Sequence, residues 1–350
     1  MINPKIFNNE KVLYVNGNKI IFSIGNYLFE KVESSQDKKI IGYYKGNFLE
    51  NLLSKFNITS DMLRLGFHSI LPLNNGIIGI QKNNIIFKKN NELKFEKVFS
   101  NFNGSRPLNI LKCPDDNLFF GEYFSNVQRT EVKVFKSSNI YDWKVAFTFK
   151  PGTIRHIHKL KYDNYRKGIW ILTGDLDKES GLWFTNDNFK TVNKVISFGQ
   201  KSRAVDLLIF ENYLIFPMDS PIQNNYIIKY NFNTKNIKKI YSIKNSAFHI
   251  KRISDIYFIS TVPEPSIVND TNYVYIYASL DAHNWKVISK FKKNFIPNNF
   301  QFITRYPEVE LCSSKGNNDN IYGYARSIKE FSNSTMAWSL KDVREYLNEY

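Results

Sequence analysis

The feature that most constrains the fold of this chain is a repeat with a period of 45 to 49 residues. Each copy holds a strand of alternating aromatic and aliphatic residues, then a polar turn, an aromatic residue and a second short strand. The first strand of these pairs begins near residues 85, 132, 181, 226 and 273, so the steps are 47, 49, 45 and 47 residues. Such a period, with about four strands per unit, is typical of a β-propeller, a ring of four-stranded antiparallel sheets called blades.

The repeat accounts for most of the 350 residues, and 43% of them are apolar. Four-stranded units can be drawn around residues 11–45, 67–100, 106–150, 154–199, 203–244, 247–292 and 300–340. We therefore predict an all-β fold with a single domain, 1–350, and seven blades; six is the alternative if the N-terminal strands complete the last blade. Residues 47–65 are predicted to form short helices inserted between the first two blades. Residues 339–350 are predicted to form a C-terminal helix that Ser339 caps.

Composition narrows the class of partner and the compartment. The formal net charge is +16, but the lysines are scattered over strand ends and turns, and no nucleic-acid-binding motif accompanies them, so we expect no nucleic-acid partner. The positive field would still favour an acidic substrate. No apolar run approaches the roughly 20 residues of a membrane span, residues 1–10 do not resemble a signal peptide, and the two cysteines have no paired spacing. We expect a cytoplasmic protein, and the sequence does not indicate its oligomeric state.

Dense polar clusters interrupt the apolar runs at four equivalent places, each between the second and third strands of a blade. In a propeller these connections emerge on the same face of the ring as those that lead from one blade to the next. A face that collects carboxylates, arginines and asparagines in this way predicts a concave polar site. The candidate residues are Arg106, Glu122, Tyr123, Asn126, Arg129, Arg155, His156, His158, Asp175, Glu179, Gln200, Arg203, Asp219, Asn225, His249 and Glu264.

Ordinary structural roles are the alternative for several of these residues. Arg155 and Asp175 would also suit an ion pair between blades, and His156 and His158 would also suit hydrogen bonds to the backbone. Asp219 begins a natural turn with the serine and proline that follow it. Glu122 is different, because it follows a strand that reads as buried, and a buried carboxylate needs partners.

The turns within the repeats carry a family resemblance. Residues 185–192, 279–285 and 137–143 resemble the Asp-box, or BNR repeat, in which Ser or Thr and Asp hold a tight turn and an aromatic residue packs between strands. The usual glycine is missing from each copy. On these motifs the chain is similar to the sialidase-like propellers, which are glycosidases.

The resemblance implies a carbohydrate-active enzyme for an acidic sugar or oligosaccharide, without a cofactor, and suggests a role in surface-polysaccharide metabolism. Sialidase-like enzymes hold the sugar carboxylate with arginines, use an Asp as acid/base and a Tyr, activated by a Glu, as nucleophile. Equivalent roles would fall to Arg106, Arg155 and Arg203, to Asp175, and to Tyr123 with Glu122. These roles are hypotheses, because no arginine precedes Arg64, whereas the family has one near its N-terminus. Asn126, Arg129, Glu179, Gln200, Asp219, Asn225 and Glu264 would complete the substrate site.

Two further functions remain open. Some propeller lyases that act on oligogalacturonate bind a metal through a His-x-His pair with further His and Gln ligands. His156, His158, Gln200 and His249 would form a similar set for a divalent metal in a uronate lyase. The other alternative is a propeller that binds a glycan or a protein without catalysis, because fold does not settle function. The sequence has no Gly-rich phosphate loop, GxSxG or HExxH motif, which argues against the corresponding enzyme classes.

Overall fold

The computed structural model describes residues 1–46, 65–104, 107–266, 268–270, 272–294 and 306–349. In these ranges the chain forms antiparallel four-stranded sheets that follow one another along the sequence, together with one α-helix. The all-β propeller predicted from the repeat is confirmed. Across the same ranges, no helix has both the length and the apolar character needed to cross a membrane.

The blades number seven in the part of the chain that the structure describes, and parallel pairing of Tyr43 and Tyr44 with Lys94 and Phe95 joins the first two into one sheet. The first strand, β1, covers Lys5–Asn8. Blade 1 consists of β2 (Lys11–Asn16), β3 (Lys19–Ile24), β4 (Tyr27–Val32) and β5 (Lys38–Tyr44), and blade 2 of β6 (Ser69–Leu73), β7 (Gly76–Gln81), β8 (Asn84–Lys89) and β9 (Lys94–Phe99). Blade 3 consists of β10 (Leu111–Lys112), β11 (Leu118–Gly121), β12 (Val132–Ser137) and β13 (Lys144–Phe149), and blade 4 of β14 (His156–Asp163), β15 (Gly168–Gly174), β16 (Gly181–Thr185) and β17 (Asn193–Ile196).

The remaining blades follow the same plan. Blade 5 consists of β18 (Leu208–Ile209), β19 (Tyr213–Pro217), β20 (Asn225–Asn231) and β21 (Ile237–Ile243), and blade 6 of β22 (Ser246–Ile253), β23 (Ile256–Val262), β24 (Tyr273–Ser279) and β25 (Lys286–Lys292). Blade 7 contains β26 (Glu308–Leu311), β28 (Asn320–Arg326) and β29 (Ser334–Ser339), while β27 (Ser313–Lys315) pairs in parallel with β2 of blade 1.

Blade 7 is completed by the other end of the chain. β1 pairs antiparallel with β29, with Lys5 opposite Ala337 and Asn8 opposite Ser334. The N-terminal strand therefore does complete the last blade, as the six-blade alternative assumed, yet the count is seven. The reason is that the described residues of the C-terminal segment supply three strands to this sheet, and β2 to β5 still form a blade of their own.

Apolar packing between neighbouring sheets closes the ring. Each large hydrophobic cluster draws residues from two consecutive blades, from the pair of blades 1 and 2 to the pair of blades 6 and 7. A seventh cluster joins Cys312 and Tyr322 of blade 7 to Val12 and Phe22 of blade 1. Because each sheet is covered on both faces, the second strands are buried along their whole length, as β7, β11 and β15 are. This double burial explains why they appear in the sequence as continuous apolar runs.

The three turns that resemble the Asp-box are held by side-chain oxygens. Oδ1 of Asp187 accepts the Thr191 N–H at 3.0 Å, and Oδ1 of Asp281 accepts the Asn284 N–H at 2.7 Å. Asn139 holds the third turn in the same way, through the N–H of Asp142 at 2.8 Å. The turns therefore have the hydrogen bonds that stabilise such loops, while membership of the Asp-box family stays a prediction.

The C-terminal helix is present as α1, Leu340–Asn348. The Ser339 side chain accepts a hydrogen bond from the Asp342 N–H, so it caps the helix as predicted. Leu340 and Val343 pack into the cluster between blades 6 and 7. The predicted helices between the first two blades, residues 47–65, lie outside the described part of the chain except for Leu65, which is not helical.

Candidate functional site

In each blade the first strand begins, and the second strand ends, at the same end of the ring, which we call the polar mouth. In blade 4, β14 begins at His156 and β15 ends at Gly174, and these two residues lie opposite each other. Asp175 follows β15, and Glu122, Asp219 and Glu264 occupy the corresponding places after β11, β19 and β23. Glu122, Asp219 and Glu264 are almost completely buried. The topology therefore gives each of four consecutive blades one carboxylate at the same end.

Two buried histidines face each other at this mouth. Nε2 of His156 and Nε2 of His158 lie 3.1 Å apart. Nδ1 of His156 lies 2.9 Å from the Phe124 carbonyl oxygen, and Nδ1 of His158 lies 2.9 Å from that of Ala204. The Tyr123 ring packs on His156 with 4.3 Å between the ring centroids. A β-bulge between Ile157 and Lys159 interrupts the pairing of β14 at this point.

Asp175 lies between these histidines and two arginines. Its Oδ2 is 2.6 Å from Nη1 of Arg155, and its Oδ1 is 3.4 Å from Nη2 of Arg203. Oδ1 also lies 3.6 Å from Nε2 of His156 and 3.5 Å from Nε2 of His158. Burial alone would raise the pKa of Asp175, but the interaction with the neighbouring imidazoles of His156 and His158 holds that pKa well below its usual range. The two guanidinium groups beside its oxygens also favour the ionised form of Asp175.

The second half of the mouth contains two carboxyls in a different environment. Oδ2 of Asp219 is 3.1 Å from Nε of Arg203, while its buried Oδ1 has no hydrogen-bond partner among the residues described. Oε2 of Glu264 accepts a hydrogen bond from the Ser246 hydroxyl at 2.8 Å. Burial, reinforced by the charge of Glu264, raises the pKa of Asp219 well above its ordinary value, and burial raises that of Glu264. These two groups are the natural proton carriers of the mouth.

Several other predicted residues hold the loops of the mouth in place. Both oxygens of Glu122 accept backbone N–H groups, from Asn103 at 2.7 Å and from Lys133 at 2.8 Å. Asn126 accepts from the Thr130 N–H and donates to the Arg155 carbonyl, and Arg129 forms an ion pair with Glu179. Asn225 accepts the Ser220 N–H and donates to the Ser220 carbonyl. These contacts satisfy buried polar groups at the loop ends.

Of the four predicted metal ligands, the structure brings together His156 and His158 and gives Gln200 and His249 other contacts. Gln200 donates from Nε2 to the Asp175 carbonyl at 2.8 Å and accepts from the Ser220 hydroxyl at 3.0 Å, so its side chain supports the loop of Asp175. His249 lies near Glu308 instead, with 3.6 Å between Nε2 and Oε2. Among the described residues, the one group of three or more His, Cys, Asp or Glu side chains with ligand atoms within 4.8 Å of one another is His156, His158 and Asp175.

Some features were not identified from the sequence, and one predicted residue cannot be placed. Arg106 falls outside the described residues. The Ser246 hydroxyl donates to Glu264, the Ser220 hydroxyl donates to Gln200, and the charges of Glu264 and Asp219 act on Tyr306. Ser246 is the first residue of β22, a place at the mouth that the register of the repeat could have identified.

Comparison with known proteins identifies the fold. No protein-family model and no curated protein sequence matches the chain. Solved structures that resemble it include an ancestral GH74 enzyme, at 10% identity and a TM-score of 0.57 over 92% of this chain and 44% of that one. The GH74 enzyme of Niastella koreensis matches at 11% identity and 0.54, over 81% and 46%. A structure of the mitotic checkpoint complex matches at 8% identity and 0.58, over 97% and 94%.

The chain spans less than half the length of the two GH74 enzymes that it resembles. At identities of 8 to 11%, the likeness establishes the β-propeller fold. It includes glycoside hydrolases as well as a regulatory assembly, so the choice of function depends on the site.

Proposed function

We propose that this chain is a carbohydrate-active propeller enzyme of the glycoside hydrolase type, acting on an acidic sugar or oligosaccharide at the polar mouth. The observation that carries the proposal is the pair of buried carboxyls, Asp219 and Glu264, beside the arginines of the same mouth. Glycoside hydrolysis needs two carboxyl groups with different protonation states. When two buried acids feel each other's charge, one is favoured in its neutral form and the other in its ionised form, because both cannot easily ionise together.

In this proposal Asp219 is the general acid. Its Oδ2 is held by Arg203, and its Oδ1 is buried without a protein partner in the part of the chain that is described. A neutral Asp219 would donate its proton to the leaving oxygen as the glycosidic C–O bond breaks. Glu264 in its ionised form would take a proton from the water that attacks the anomeric carbon. The reaction is then balanced as a hydrolysis.

The sequence hypothesis gave the acid role to Asp175, and the contacts favour a different assignment. Both oxygens of Asp175 lie beside guanidinium groups, Oδ2 beside Arg155 and Oδ1 beside Arg203. Each oxygen of Glu122 accepts a backbone N–H group, so this carboxylate has a role in holding the loops of blade 3. We therefore keep the acidic-sugar hypothesis and move the proton chemistry to blades 5 and 6.

The arginines supply the attraction for an acidic sugar. The guanidinium group of Arg155 touches Asp175 through Nη1 and the Ser125 carbonyl through Nε, and about a third of its side chain is exposed to solvent, 31%. A planar guanidinium at a solvent-filled mouth is suited to a carboxylate ligand. The excess of basic residues over acidic ones in the whole chain, 48 against 32, adds a favourable long-range field.

The test measures turnover of oligosaccharides that contain sialic, galacturonic or glucuronic acid. Formation of reducing ends reports cleavage of the glycosidic bond, and ultraviolet absorbance reports unsaturated products. We expect Asp219→Asn to reduce kcat by about 10²- to 10⁴-fold without lowering the melting temperature. Glu211→Gln, at an exposed turn of the same blade, is the matched control and should leave kcat unchanged.

Other outcomes assign the mouth differently. If Asp175→Asn abolishes turnover and Asp219→Asn does not, the acid role returns to Asp175. Unsaturated products would favour the uronate lyase. A melting shift with an acidic sugar and no turnover would favour a glycan-binding propeller. The absence of both a melting shift and turnover would refute the proposal.

A further inference from the structure

We propose that His156, His158 and Asp175 form a binding site for one divalent transition-metal ion, with Zn²⁺, Mn²⁺, Fe²⁺ or Co²⁺ as the class of ligand. This site differs from the set expected from the sequence, because Asp175 takes the place given to Gln200 and His249. The inference does not rest on the proposed function. It rests on how the two imidazoles are held.

The hydrogen bonds fix the state of each ring. The backbone carbonyl oxygens of Phe124 and Ala204 can only accept hydrogen bonds, so Nδ1 of His156 and Nδ1 of His158 must carry the protons at 2.9 Å. In the neutral form each Nε2 then presents a lone pair. Those two lone pairs face each other at 3.1 Å inside the protein. A cation between them, either a proton or a metal ion, is needed to make this arrangement favourable.

The third group favours a metal ion. Oδ1 of Asp175 completes a triangle with the two Nε2 atoms, with sides of 3.1, 3.5 and 3.6 Å. Ligand bonds of about 2.1 Å at octahedral to tetrahedral angles require donor separations of about 3.0 to 3.4 Å. The triangle is therefore close to the size that three ligands of one ion need. Two imidazoles and one carboxylate are a donor set for first-row transition metals rather than for Ca²⁺ or Mg²⁺.

The surroundings have the features of a supporting shell. Metal-bound histidines usually donate their other N–H to a carbonyl or carboxylate, as both rings do here. The remaining oxygen of Asp175 is held by Arg155 at 2.6 Å, and Gln200 holds the Asp175 backbone carbonyl. At Gly174, a Cβ atom would lie 2.6 Å from Cε1 of His158, so only glycine allows this ring to reach its place.

The chemistry available at such a site follows from the ligand count. Three protein ligands leave further coordination positions open, which is the arrangement of catalytic rather than structural sites. Those positions lie at the same polar mouth as Arg155 and Arg203. A bound ion would add an electrophilic partner for an anionic ligand at that mouth.

The experiment titrates chelator-treated full-length protein with a divalent metal ion in the absence of any sugar. Binding of Co²⁺ is monitored by visible absorption, and binding of Zn²⁺ is measured by calorimetry. We expect one ion per chain and a visible spectrum of nitrogen and oxygen ligation. His156→Ala, His158→Ala and Asp175→Asn should each weaken binding at least tenfold. His283→Ala is the matched control, because that partly buried ring lies in the turn of Asp281 and the variant should leave the affinity unchanged.

The wild-type titration decides the question even if a variant fails to fold. Absence of saturable binding of Co²⁺ and Zn²⁺ would overturn the proposal and leave a shared proton between His156 and His158 as the cation. Binding that survives in both histidine variants would also overturn it. Because no sugar is present, neither result depends on whether the glycosidase proposal holds.

Discussion

A cluster of partly buried lysines in the inner strands gives the sharpest prediction about stability. Nζ of Lys159 lies 2.5 Å from Oδ2 of Asp206, and Nζ of Lys161 lies 3.1 Å from Oδ1 of the same carboxylate. A third lysine, Lys251, is close enough to feel the charges of Lys159, Asp206, Cys312 and Glu310. Three cations therefore share one fully buried aspartate.

The perturbation is Lys251→Met, which keeps the length of the side chain and removes its charge. Burial, with repulsion from Lys159, lowers the pKa of Lys251 from 10.5 to about 8. A difference of this size corresponds to about 3 kcal/mol of unfavourable free energy for the charged lysine in the folded state. Its hydrogen bond to the Ser313 hydroxyl, 3.4 Å long, offsets little of this. We expect the variant to be about 2–3 kcal/mol more stable at pH 7.

The direction of the pKa shift determines how the stability difference between Lys251→Met and the wild type changes with pH. Between pH 8 and 10.5 the unfolded chain binds more protons at this position than the folded one, so the stability of the wild type rises with pH across this window. The advantage of Lys251→Met should therefore be full below pH 8 and shrink towards zero as the pH approaches 10.5. Taking the difference between variant and wild type cancels the titration of other groups.

The assay is urea unfolding at several pH values, with Lys238→Met on the exposed side of β21 as the control, expected within about 0.5 kcal/mol of the wild type. Asp206→Asn should act in the opposite direction and cost about 1–3 kcal/mol, because it removes the carboxylate that the partly exposed Lys159 and Lys161 share. An unchanged or lower stability of Lys251→Met at pH 7, or an advantage that does not shrink at high pH, would refute the reasoning.

Two further predictions concern the ends and the interior of the ring. Cys113 and Cys312 are buried free thiols whose pKa burial raises to about 12, so a thiol reagent should label neither in the native protein and both in denaturant; rapid native labelling would contradict this packing. Ser339→Ala should lower the stability by about 1 kcal/mol, because the cap of α1 is lost, while Ser339→Asp should keep it; equal melting temperatures for both variants and the wild type would argue against the cap.

Much of the fold could be predicted because the propeller depends on a pattern that repeats. The spacing of the third strands and the continuous apolar runs of the second strands predicted seven four-stranded sheets. The pairing of β1 with β29 could not be predicted in the same way, because a four-residue strand has a weak signal and its partner lies more than 300 residues away. The structure shows that β1 supplies the fourth strand of the last sheet.

The composition of the mouth was also open to prediction, whereas the partners of its side chains were not. The register of the repeat places Glu122, Asp175, Asp219 and Glu264 after equivalent strands. Which of them is ionised depends on contacts across blades, such as Asp175 with Arg203, and on the space beside Gly174 that admits His158. Such contacts are set by distances of tenths of an ångström, and a sequence pattern does not encode them.

Arg203 connects the two halves of the mouth. Its Nε contacts Asp219, its Nη2 contacts Asp175, and its Nη1 donates to the Asp175 carbonyl at 3.2 Å. Removing this guanidinium would take away a contact of Asp219 and a contact of Asp175, so an Arg203 variant would disturb proton chemistry and cation binding together. The two proposals can be separated only by changing one half at a time. Asp219→Asn keeps all three candidate ligands in place, and His158→Ala keeps both proton carriers.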